Sequence, residues 1–303
     1  MDATVTIKAP IKQTPPLRAS MTCEAAFQTA AIHYLDQLTA QHDGTAAGEA
    51  AALHAMRVAM TRLRTTIALF SPMVEGGEQL RLAAELKWLN AHLGIVRDLD
   101  VALERLAKIK PRASVNDQPW KRERAACQRH LTRALDSPRY QRLIEDVTAW
   151  IENGDWSRKR TTKASEQRAQ PVDEYCSDKL QQWRNKLLKK SNKLKEFGAR
   201  KRHRVRLANK RLSYAIEAAE TLVPSRETPA VKATLTLLRT THKSLGELND
   251  DARFRALAAA LGEDRMDGSD RTLQPKEKKR LLRKAAGAYE DLAKLKPLKI
   301  SNS

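Results

Sequence analysis

Cysteine is scarce and poorly placed for cross-linking: Cys23, Cys127 and Cys176 are the only three, and no CxxC pair occurs. An odd, scattered set supports neither a disulfide framework nor a zinc site, so no metal or cofactor is expected. Such thiols fit a reducing compartment and point to a cytoplasmic protein. No apolar run approaches the roughly 18–20 residues that span a bilayer, so no membrane span is expected. The opening MDATVTIKAPIKQTPPLRAS is proline-rich and lacks the apolar core of a secretory signal. Residues 1–19 are expected to be a flexible leader. Acids are short as well: 36 Asp+Glu stand against 56 Lys+Arg, a formal net charge of +20. Self-repulsion at this charge opposes compaction, so an anionic partner is the first inference. Nucleic acid, a phosphate polymer, a small phosphorylated ligand and an anionic membrane surface all satisfy it.

Glycine (11 residues) and aromatics (5%) are also sparse, and Ala, Leu, Arg, Lys and Glu dominate. That balance predicts an almost entirely α-helical chain. Apolar spacing and breakers predict helices over about 20–41 (capped by Ser20), 49–70, 78–108, 120–135 and 138–151. A second set is predicted over about 173–197, 199–222, 228–261 and 275–295. HDGTAAG reads as a break, PRASVNDQP as a linker, and GDWSRKRTTKASEQRAQP as the joint between two halves.

The stretch from Lys186 to Arg211 carries twelve Lys/Arg and one acid, Glu196, yet Leu187, Leu194, Val205 and Leu207 recur inside it at helical spacing. A disordered basic tail has no reason for that pattern, so a folded cationic surface is expected. Its C-terminal half has a twin. His54 to Ile67 aligns with His203 to Ile216, 149 residues on, with six of fourteen positions identical, including the His, the paired arginines and a Leu. Leu93-Gly94-Ile95-Val96-Arg97-Asp98 aligns likewise with Leu245-Gly246-Glu247-Leu248-Asn249-Asp250 at an offset of 152. Order and offset agree, which predicts an internal duplication of a helical bundle.

On helical geometry His54, Arg57, Thr61 and Arg64 form one polar stripe, opposite an apolar face of Met56, Ala59, Leu63, Ile67 and Phe70. His203, Arg206 and Lys210 repeat it opposite Val205, Ala208, Leu212 and Ile216, while Arg62 and Arg211 lie on the other flank. Lys87, Asn90 and Arg97 make a third stripe, its twin being Arg239, His242 and Asn249; Lys186, Lys190 and Lys193 stack on one side of the preceding helix. A cationic stripe is ordinarily a solvated face, but such faces mix signs and pair Glu with Lys. Here acids are nearly absent from the stripes. His54 and His203 also admit a plain structural role, and Asp98 and Asp250 read as partners that hold arginines or as loop caps. The Leu-Gly steps read as close helix contacts.

The segments H-x-x-R-V-x-x-x-R-L-R (His54 to Arg64), L-G-x-x-R-D-x-D-V (Leu93 to Val101), H-x-x-R-L-x-x-K-R-L (His203 to Leu212) and L-G-x-L-N-D (Leu245 to Asp250) closely resemble the CHAD family, the conserved histidine α-helical domain. Thr61 and Ser213 depart from it, where basic residues would be expected. The resemblance covers about residues 20–296. It implies an all-α fold of two pseudo-symmetric four-helix bundles, about 20–152 and 171–296 with a joint at 153–170, around a basic central channel, with 297–303 as a tail. It further implies inorganic polyphosphate as ligand and polyphosphate granules, with their proteins, as the setting. No E-x-E-x-K strand motif of a CYTH domain precedes it, so a stand-alone binding module is expected. The expected contacts are His54, Arg57, Arg62, Arg64, Lys87, Arg97, His203, Arg206, Lys210, Arg211 and Arg239, with Lys186, Lys190, Lys193, Arg202 and His242 as an outer set.

Polyphosphate has a charge on every unit and no bases, so a row of cationic donors suffices to hold it. A bound polyanion raises histidine pKa values, so tighter binding is expected below about pH 6.5. Nucleic acid is the first alternative, although Trp88, Trp183 and Tyr214 are not interleaved with the stripes as stacking platforms would be. An enzyme is the second, either with His54 or His203 as phosphoacceptor or as a polyphosphate hydrolase or kinase. No P-loop is present and no acidic cluster beside the stripes is suited to hold Mg²⁺, so a non-enzymatic role is expected. The oligomeric state stays open.

Overall fold

The computed structural model describes residues 14–108, 117–158, 162–262 and 272–300. Most of the leader, most of the PRASVNDQP linker and part of the loop before the last helix lie outside them. The helices are α1 (Cys23–Thr39), α2 (His42–Ala46), α3 (Ala50–Leu69), α4 (Ser71–Val74), α5 (Gly77–Ala107), α6 (Gln118–Leu135) and α7 (Pro138–Asn153). They continue with α8 (Asp155–Arg158), α9 (Thr162–Ala169), α10 (Val172–Ser191), α11 (Ala199–Ala218), α12 (Thr228–Ala260) and α13 (Pro275–Lys294). Among the described residues the sole β feature is an isolated bridge between Thr22 and Pro171.

That bridge corrects the first cap. The chain turns at Arg18–Met21 and pairs at Thr22, so helix begins only beyond it, with Thr22 Oγ1 accepting from the Ala25 amide at 3.2 Å. HDGTAAG is not a plain break. It forms α2, after which Gly48, at φ 87°, makes the left-handed turn into α3. The joint is helical too. Trp156 of α8 is buried with its indole edge-on to Phe27 at 5.2 Å, and its carbonyl accepts from Arg168 of α9 at 3.1 Å. A basic composition concealed this packing, because the apolar anchor is a single tryptophan.

The end of the leader is fixed rather than flexible: Leu17 is buried and its carbonyl accepts from Thr221 Oγ1 at 2.9 Å. The tail is docked as well. Leu298 and Ile300 are buried, and the Ile300 amide donates to Ser177 Oγ at 2.7 Å.

Apolar faces build one contiguous core that runs through both halves, from Leu17 to Ile300. Met56, Ala59, Leu63, Ile67 and Phe70 are all buried in it, as are Val205, Leu212 and Ile216. α1 packs on α3 and α7, and α3 on α5; α10 packs on α11, α11 on α12, and α12 on α13. The two halves meet where α3 touches α11 and α5 touches α12. A smaller apolar cluster, with Trp120 stacked on Phe254 at 5.1 Å, closes the junction of α5, α6 and α12.

Candidate functional site

α3 and α11 carry the duplicated segments, and their contact brings the two copies together. Arg206 acts on Arg57 across it, and Lys210 feels both. Arg97 from α5 and His242 from α12 join the same group, the first beside His54 and Arg57, the second beside Arg206 and Lys210. Cations from both repeats thus lie close enough to act on one another across the α3–α11 contact.

The charges are held there against their own repulsion. Burial pushes the Arg57 pKa below the ordinary guanidinium value, Asp98 opposes this, and Arg97, Arg253 and Arg206 add to it. Burial, then Arg206 and Arg57, bring Lys210 down to about 8. Burial, then Arg206 and Lys210, bring His242 down to about 4. Partial burial, then Arg97, Lys210 and Arg57, also depress His54, against a smaller pull from Glu104. Arg57 Nη1 and Arg206 Nε are buried with no hydrogen-bond partner. A buried donor without an acceptor is costly, and an anion supplies one.

The Leu-Gly steps serve these arginines. A methyl on Gly94 would lie 3.2 Å from Arg57 Nη1, and one on Gly246 4.0 Å from Arg206 Nε. Gly94 therefore leaves room for the Arg57 guanidinium, whereas at Gly246 a methyl would make only ordinary contact with Arg206, and neither would meet a neighbouring helix backbone.

The other expected residues separate into distinct environments. His203 is exposed, with Nδ1 2.9 Å from Asn249 Oδ1, at the edge of a groove of about 920 Å³. Arg97 pairs with Glu104 at 3.0 Å. Arg64 is depressed by partial burial and by Arg211, which puts those two near each other; Arg211 also stacks over Trp183 at 5.8 Å. Lys87 is exposed on α5, about two turns before Gly94. Arg62 is engaged in packing: it lies between the Tyr34 and Tyr214 rings, 5.9 and 5.5 Å from their centres, and pairs with Glu217 at 3.4 Å. Glu217 also takes Arg239 at 3.5 Å. Arg202 donates to the Phe197 carbonyl at 2.7 Å. Lys186, Lys190 and Lys193 are exposed along and just beyond α10.

The stripes are less free of acids than the sequence suggested, because Glu104 and Glu217 enter from a distant turn or from outside the aligned segments. Asp98 does hold an arginine, Arg253 of the other half, at 2.7 Å. Arg253, Arg200 and Arg204 were not anticipated. They fall outside the identical positions of the repeat, and only the α11–α12 packing brings them to one groove.

These features define an all-helical domain with a cationic seam between two copies of one segment. The chain belongs to the CHAD family: the CHAD domain model matches residues 29–265. A crystal structure of the CHAD domain from the plant Ricinus communis is similar, at a TM-score of 0.74 and 25% identity, covering 95% of this chain and 98% of that one. No curated protein matches it. Among the described residues, no helix is long and apolar enough to cross a membrane.

Proposed function

We propose that the protein binds inorganic polyphosphate without transforming it, in a basic channel between two pseudo-symmetric four-helix bundles. The observation that carries this is the pairing of Arg57 with Arg206 across the α3–α11 contact, each with a buried, unsatisfied guanidinium nitrogen. A linear phosphate chain brings acceptor oxygens and negative charge at every unit and no bulky side group. It is therefore able to satisfy donors on both repeats at once. His54, Arg97, Lys210 and His242 extend the row, and Arg64, Lys87, Arg211 and the α10 lysines continue it outward.

The nearby acids favour binding over catalysis, since Asp98 and Glu104 are taken up by Arg253 and Arg97. The aromatic faces near the basic helices favour polyphosphate over nucleic acid. Trp183 lies under Arg211, Tyr214 under Arg62 and Lys210, and Trp88 under Arg139 at 4.2 Å, so these rings are not free platforms for bases. Granule association would follow from the same site.

The test is binding of long-chain polyphosphate, with transfer RNA as competitor, to wild type and to Arg57→Ala/Arg206→Ala. Tight binding that resists the RNA and collapses in the double variant is expected. Equal competition, or normal binding by the variant, overturns the proposal.

A further inference from the structure

The two ends of the cationic seam are not equivalent, although the repeats that build them are. At the second repeat, α11 and α12 enclose the groove of about 920 Å³, lined by Arg200, Lys201, His203, Arg204, Asn249 and Arg253. In the internal alignment Arg200, Lys201 and Arg204 fall on Ala51, Ala52 and Ala55 of α3, and Arg253 falls on Val101 of α5. The second repeat therefore has four cations where the first has three alanines and a valine.

The first repeat also fills the place where the second is open. Ala252, in the wall of the groove, aligns with Asp100. That carboxylate accepts from Arg124 of α6 at 3.0 Å, and Arg124 donates on to the Gly48 carbonyl at 2.8 Å, just before α3. In the first repeat an ion pair thus occupies the position whose counterpart, Ala252, borders the groove in the second. An acid adds to the contrast: Glu104, which holds Arg97, aligns with Ala256.

We infer that the groove between the first turns of α11 and the middle of α12 seats the terminal phosphate group of a polyphosphate chain, so that the polymer is bound in one direction. An internal unit of the chain carries about one negative charge, whereas a terminal phosphate carries about −1.5 to −2 at neutral pH and one more free oxygen. The end of the chain is the part that best matches a concentration of charge-assisted donors. Arg200 and Arg204 make no ion pair among the described residues, so both are available to it. His203, engaged with Asn249 through Nδ1, keeps Nε2 for a phosphate oxygen. From this seat the chain would pass toward Arg206, Lys210 and Arg57.

This inference rests on the polyphosphate proposal, and one experiment separates the two. Short linear polyphosphate with free ends is compared, by calorimetry, with the same chain capped at both ends as a phosphoramidate of a small uncharged amine. Capping is expected to weaken wild-type binding about five- to tenfold. Arg200→Ala/Arg204→Ala, two exposed positions, should bind the free-ended chain as wild type binds the capped one and should not respond to capping. Equal affinity of wild type for both chains, or a variant that still distinguishes them, overturns the terminal seat and leaves the channel standing. Absence of binding by wild type to either chain overturns the polyphosphate proposal itself.

Discussion

Arg57 is held in a place that costs the free protein stability. Its guanidinium group is partly desolvated, faces three other arginines and has one buried nitrogen with no acceptor. Gly94 makes the position possible, and this separates binding from folding. Gly94→Ala should raise helix stability by up to about 1 kcal/mol, because alanine is the better helix former. The new methyl, 3.2 Å from Nη1, must push the flexible end of Arg57 away, so polyphosphate affinity should fall several-fold. Gly246→Ala, with 4.0 Å to Arg206 Nε, should gain similar stability with much less effect on binding. Parallel thermal melts and titrations check this, and a loss of binding no larger in Gly94→Ala than in Gly246→Ala would refute the role given to Gly94.

Lys210 gives the residue scale a pH signature. In the free protein it titrates at about 8, and a polyanion restores its charge. Binding therefore takes up a proton above that pH. Affinity should be insensitive to this group below about 8 and should fall as the pH rises past it, by at most about tenfold per unit. Its contribution to folding has the matching sign: the depressed value is unfavourable in full below about 8 and fades toward the ordinary lysine range. Lys210→Arg should remove the alkaline loss of binding. The histidine contribution extends to lower pH, since both His54 and His242 are depressed before the ligand arrives, so affinity should keep rising until each is charged in the free protein, for His242 at about 4.

Among the elements, α11 places a polar residue at a core position where its twin is apolar. Asn209 stands where α3 has Met60, and it is fully buried. Its amide donates to the Leu238 carbonyl at 2.9 Å, and its oxygen accepts from Thr241 at 2.6 Å and Tyr289 at 3.1 Å. One side chain thus ties α11 to α12 and α13. Asn209→Leu would leave the Tyr289 hydroxyl buried without its partner, so a loss of about 2–4 kcal/mol is expected by denaturant unfolding. The apolar faces of α3 and α11 were legible because a helical spacing survives in one dimension. The packing of Arg62 was not legible because its tyrosine and glutamate partners come from other elements. Trp156, Leu17 and Ile300 were missed for a related reason: a single buried side chain in a polar segment has no periodicity to detect. The purpose of Gly94 needed the distance to Arg57, which sequence spacing cannot supply.

At the scale of the whole molecule, a net charge of +20 makes salt act in opposite directions on folding and on binding. The free protein compresses like charges into a seam where Arg206 depresses Arg57 and both depress Lys210. Screening relieves that repulsion, and the Debye length shortens from about 30 Å at 0.01 M salt to about 10 Å at 0.1 M. Thermal stability of the free protein should therefore rise over this range. On the proposed function, polyphosphate would supply the countercharge itself and release small ions as it binds, so its affinity should fall steeply over the same interval. Ligand binding adds stability in proportion to the logarithm of its concentration over Kd, and the added part must shrink as salt weakens binding. At saturating polyphosphate the melting temperature should thus be highest at low salt, and the curves with and without ligand should converge as salt is added. Melts in a salt series with and without the polymer measure both slopes. A free protein whose melting temperature falls with salt would show that charge repulsion in the seam does not limit its stability, while a ligand-induced shift that ignores salt would show that the polymer is not held by charge.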